Sequence, residues 1–118
     1  MKLSTKLIKN GQKIQEFLEL VGEKNSNEIT YYEDSTKVNF KATAKTLTYQ
    51  RENADTIIKI RVQSNTCQCF YTLKKESTNF EIKVLDYSYK MIQNVIQLYY
   101  VLETFPDGNN LIEIIIGE

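Results

Sequence analysis

From Glu28 to about Leu85 the chain contains neither glycine nor proline, and Thr, Ile, Val, Tyr and Phe dominate. Such a stretch lacks the residues that interrupt strands and is rich in those that suit a pleated, half-buried surface. The clearest run is residues 37 to 45, where Val38, Phe40, Ala42 and Ala44 alternate with Lys37, Asn39, Lys41 and Thr43. Period two places one face in a core and leaves the other in water. The middle of the chain is therefore a sheet.

The strands can be placed along it in turn. Residues 28–33 form one, Asp34-Ser35 a tight turn, and residues 37–44 the next. Leu47 and Tyr49 then fall on the parity that was polar before, so the alternation predicts a bulge or bend near residues 44–46. In residues 56–63, Ile58, Ile60 and Val62 oppose Lys59, Arg61 and Gln63. Ser64-Asn65 leads to residues 67–74, and Glu76-Ser77-Thr78-Asn79 to residues 80–85. Connections this short predict an antiparallel meander of about five strands.

Both ends read differently. Ile14, Phe17, Leu18 and Val21 recur at i, i+3, i+4 and i+7, with Glu16, Glu19 and Glu23 on the other side and Gly22 as a stop. That spacing predicts an N-terminal amphipathic helix, starting at a Ser4 or Thr5 cap or only after Asn10-Gly11. Met91, Val95, Leu98, Leu102 and Phe105 recur every three or four residues within residues 86–105. They predict a long C-terminal helix packed across the sheet, closed by the Pro106-Asp107-Gly108 turn. Leu111–Ile116 reads as a final short strand, apolar on both faces. It must pair inside the sheet or with a second copy in a homodimer. The expected fold class is α+β, one domain over residues 1–118.

Composition narrows the function by exclusion. With 118 residues, 42% apolar and 25% charged, the chain suits one ordinary globular domain. It has no histidine, so Ser-His-Asp and Cys-His catalysis are impossible within it. Its four glycines are too scattered to make a phosphate loop. Cys67 and Cys69 lack the further soft ligands that zinc needs and read as buried, reduced thiols. No cofactor, metal or catalytic group is expected, and the chain reads as a non-enzyme. Lysines break up the apolar start, which lacks the h-region of a signal peptide, and no apolar run reaches about 18 residues. The expectation is a cytoplasmic protein with no membrane contact.

Lys plus Arg balance Asp plus Glu at 15 each, so only their distribution is informative. The outward strand positions by parity include Lys37, Lys41, Lys59, Arg61, Lys74 and Lys83, with Asn39, Thr43, Gln63, Gln68 and Thr72 among them; Glu81 is the only acid. Acids gather on the first segment and in turns. These six cations are the candidate partner-binding residues, set against the plain alternative that they solvate an open sheet face. An acidic protein surface is the favoured partner, steered by the lysines and anchored by tyrosines. Nucleic acid is the alternative, with phosphates on the same lysines and bases stacked on Phe70; two arginines and no RNP-like motif weaken it. A small-ligand pocket between the sheet and the 86–105 helix is a further reading.

Overall fold

Asn10-Gly11, with φ of 51° and 79°, turns the chain back on itself. Positive φ at both central residues is the pattern of a type I′ hairpin turn, which Asn-Gly strongly favours. The N-terminal segment is therefore two strands and not a helix. The structure, a computed structural model, describes residues 1–117 and holds twelve strands among them with no helix. In order they are β1 (Lys2–Lys9), β2 (Gln12–Val21), β3 (Glu23–Asn25), β4 (Glu28–Glu33), β5 (Thr36–Ala42), β6 (Leu47–Glu52), β7 (Thr56–Gln63), β8 (Thr66–Leu73), β9 (Thr78–Ile82), β10 (Val84–Ile92), β11 (Val95–Leu102) and β12 (Asn110–Ile116). No helix of the described residues is long and apolar enough to cross a membrane.

Two antiparallel sheets result, one of five strands in the order β10-β11-β12-β1-β2 and one of seven in the order β3 to β9. The α+β expectation is overturned: the fold is all-β. The chain bends from the first sheet into the second at Gly22, between β2 and β3, and back again at Lys83, between β9 and β10. Both edges of the sandwich are thus joined by continuous chain, and the strands follow one another in up-and-down barrel order, with β1 paired to β12 where the ends of the chain meet. At the first corner a side chain has no room: a Cβ on Gly22 would lie 2.7 Å from Leu3 Cδ2.

Parity fills the interior. Ile29, Phe40, Tyr49, Ile60 and Cys69 stand side by side across β4 to β8, and all are buried. Leu3, Ile96, Leu98, Ile112 and Ile114 of the other sheet join them in one core. Each large apolar side chain hidden this way contributes roughly 1.5–3 kcal/mol, which is what holds the register.

The two expected helices fail for different reasons. On β2 the register shifts: Leu3 faces Leu20, but Thr5 faces Phe17. One extra residue lies between those pairs, and Glu19 absorbs it with φ of 56° in a bulge. Inward residues are then three apart, which imitates a helix, while Ile14, Leu18 and Val21 are exposed. In residues 86–105 the cause is a strand apolar on both sides. Ile96, Leu98, Tyr100 and Leu102 pack inward and Val101 is buried too, so a spacing of three or four is as easy to find as two. Gln93-Asn94, read as the polar side of a helix, is the β10–β11 turn, with φ of 53° at Gln93.

Of the bulge or bend expected near residues 44–46, the chain makes the bend, as the turn of a β5–β6 hairpin with Ala42 facing Leu47 and the Thr43 and Thr46 hydroxyls 2.8 Å apart. The final strand lies inside its sheet, paired with β1 on one side and β11 on the other. A second copy could meet it only through its outward face, at Leu111 and Ile115.

Candidate ligand cavity and outer sheet face

Alternation brings polar side chains into the barrel, Thr5, Glu33, Tyr49 and Arg51 among them. Glu33 follows Ile29 and Tyr31 on the inward side of β4, and Arg51 follows Leu47 and Tyr49 on β6; Thr5 lies between Leu3 and Leu7 on β1. Glu33 is only 5% exposed. Its Oε2 accepts a hydrogen bond from the Thr5 hydroxyl at 2.6 Å, and its Oε1 accepts one from Arg51 Nη1. Arg51 Nη1 also donates to the Tyr49 hydroxyl oxygen at 3.1 Å. A buried carboxylate needs this, because stripped of partners it is costly to hold in a dry interior.

Burial sets the protonation of the surrounding phenols. It pushes Tyr49 up to about 12 and Tyr31 well above its ordinary value. Tyr31, 1% exposed, has a hydroxyl with no partner among the described residues. Burial pulls Arg51 down, but Tyr49 and Glu33 more than offset that pull, so the guanidinium stays charged. Two guanidinium nitrogens, Nε and Nη2, make no hydrogen bond among the described residues and are not sealed off, because the side chain is 25% exposed.

That exposure opens onto a cavity. A space of about 440 Å³ lies between the sheets, with Thr5, Glu33, Tyr49 and Arg51 in its lining. Leu7, Phe17, Ile58, Ile60, Leu102 and Ile112 supply apolar wall. Its volume falls within the usual range for small-molecule sites, roughly 300–1,000 Å³. Tyr100 also lines it, and burial raises that phenol. Asn10 and Asn109, both in the lining, clasp each other, each backbone N–H donating to the other's Oδ1 at 3.1 and 2.9 Å. Cys69 lies in the same wall as a free thiol that burial pushes up to about 11. The pocket expected under a C-terminal helix is not there; this one lies between two sheets.

Neither Glu33 nor Arg51 is among the site residues expected from the sequence. Glu33 is the last residue of the strand expected over residues 28–33, and its parity with Ile29 and Tyr31 already points inward; Arg51 shares the parity of Leu47 and Tyr49.

The outer face of the seven-stranded sheet gathers Lys37, Lys41, Lys59 and Arg61, with Lys74 at its border. Acids lie among them. Lys41 faces Glu28 and Lys37 faces Glu52 in the register, and Lys74 Nζ is 2.7 Å from Glu52 Oε2. Arg61 sits over the Phe70 ring at 5.4 Å and donates to Gln68 at 3.2 Å. Lys83 stands apart, in the link between β9 and β10. The face is thus mixed in charge, because Glu28 and Glu52 join Glu81 on it.

The class this defines is an antiparallel barrel-like fold of two sheets with an interior cavity and a Thr-Glu-Arg-Tyr cluster in its lining. No known protein family matches the chain, and no curated protein or solved structure does either.

Proposed function

We propose that this protein binds one small, largely apolar molecule inside the barrel and orients it by a polar atom held on Arg51. The observation that carries this is the pair of unpaired guanidinium nitrogens on a residue lining an apolar cavity. These donors are not sealed in the interior, since the Arg51 side chain is 25% exposed, and they are free to take an acceptor that enters the cavity. A ligand acceptor at Nε and Nη2 would satisfy them while the walls cover its apolar body. Two free thiols on one strand suit a reducing, cytoplasmic setting for such a binder.

Titration with the neutral fluorescent probe N-phenyl-1-naphthylamine tests it. Saturable binding is expected, lost in Ile60→Trp and Leu102→Trp variants that fill the cavity, with far-ultraviolet circular dichroism unchanged. Binding that survives both variants, or no saturable binding at all, would refute the reading.

The outer face supports a second reading, docking of an acidic protein surface. Lys41 and Arg61 stand on either side of Thr48 in the register, Lys59 is two residues from Arg61 on β7, and none of the three forms an ion pair among the described residues. Reversing all three to Glu should abolish a stoichiometric protein complex that resists nuclease. A complex lost on nuclease treatment and steeply weakened by salt would assign the face to nucleic acid instead.

A further inference from the structure

We infer that the polar end of the cavity's ligand is an uncharged hydrogen-bond acceptor, such as an amide or alcohol, rather than a carboxylate or a phosphate. This rests on the cavity reading and concerns which chemistry the cluster selects.

The charges at the site cancel. Glu33 and Arg51 contribute one of each sign, and Thr5 and Tyr49 are neutral. Lys6 borders the cavity, but its ammonium is turned to Glu16 and Glu113, at 3.9 and 4.0 Å. Lys9 is exposed, at the end of β1 beside the Asn10-Gly11 turn. Among the described residues nothing deep in the barrel is therefore left to balance an added anion.

An anionic head on the free edge of Arg51 would place a second negative charge beside Glu33. The site would then hold net negative charge against apolar walls, and burying a charge without a matching partner is strongly unfavourable. A cationic head fails sooner, because the free edge of a guanidinium offers donors only. A neutral carbonyl or hydroxyl oxygen takes those donors and leaves the charge balance intact. The buried tyrosines suit the same choice: burial holds Tyr49 and Tyr100 in their protonated, neutral form.

Size sets the scale of the test compounds. A space of 440 Å³ equals roughly fifteen waters at liquid density, so a ten-carbon tail with one head group is a fair probe. Decanamide, decanol and decanoate share that tail and differ in the head. Each is titrated against wild-type protein loaded with N-phenyl-1-naphthylamine at pH 8.

The expected result is that decanamide and decanol displace the probe at concentrations at least about tenfold below decanoate, a difference of about 1.4 kcal/mol. Lowering the pH toward 5 should narrow that gap, because decanoate then takes up a proton. Glu33→Gln removes the opposing charge and should move the ranking toward decanoate by about tenfold. If that variant does not fold, the wild-type ranking decides alone. Decanoate binding as tightly as decanamide at pH 8 would overturn the inference, as would failure of all three to displace a bound probe; in either case the cavity reading stands. Failure of the probe itself to bind would remove both.

Discussion

The Thr5 hydroxyl donates to the Glu33 carboxylate across the barrel at 2.6 Å, tying β1 of one sheet to β4 of the other. Thr5→Val keeps the shape and deletes the donor, leaving one oxygen of a buried carboxylate short of a partner. Stability should fall by about 1–3 kcal/mol. Urea denaturation checks this, and a change within error would mean that Oε2 finds another donor.

Glu33 and Arg51 should behave as one unit. Arg51→Met strips the carboxylate of its counter-charge and is expected to cost about 3 kcal/mol. Adding Glu33→Gln should recover part of that loss, because the stranded charge is gone. Strict additivity of the two single changes in a double-mutant cycle would show that the pair is not coupled.

Glu19 holds a left-handed φ of 56° that side chains with a Cβ adopt at a cost of about 1–2 kcal/mol. Glycine adopts it freely. Glu19→Gly should therefore stabilise the protein by about 1 kcal/mol and raise the thermal midpoint. A lower midpoint would show that the carboxylate or the chain stiffness matters more than the strain.

Alkaline pH should lower the stability of this protein. Burial raises Cys67 and Cys69 to about 11 and Tyr49 to about 12 in the folded state, from ordinary values of 9.0 and 10.0. Above pH 9 the unfolded chain releases protons that the folded chain retains, so stability is whole below that pH and falls as pH rises through the folded values. Denaturation midpoints that stay flat from pH 8 to 11 would contradict the burial. Thiol labelling at pH 8 should correspondingly be slow until the protein unfolds.

Parts of this fold were plain in the residues. The strands at Glu28–Glu33 and Thr56–Gln63 coincide with the alternation read from the chain, as does the outward placement of Lys37, Lys41, Lys59 and Arg61. The acids Glu28 and Glu52 were harder, because they stand at strand ends where parity gives out. Glu33 and Arg51 were legible in principle, as inward members of their strands, but a charged residue beside a turn reads more naturally as solvated.

What the sequence determined alone is the two-residue period of the central strands, and with it which side chains enter the core. Side-chain direction there is a local property of extended backbone. The fate of residues 12–21 and 86–105 was decided by tertiary structure. A bulge at Glu19 exists only in relation to β1, and a strand apolar on both faces shows its period only once β10 and β12 lie beside it. The cavity and its cluster belong to the same class of fact. Thr5, Glu33 and Arg51 are 28 and 18 residues apart along the chain, and only closure of the two sheets brings their charges and donors together.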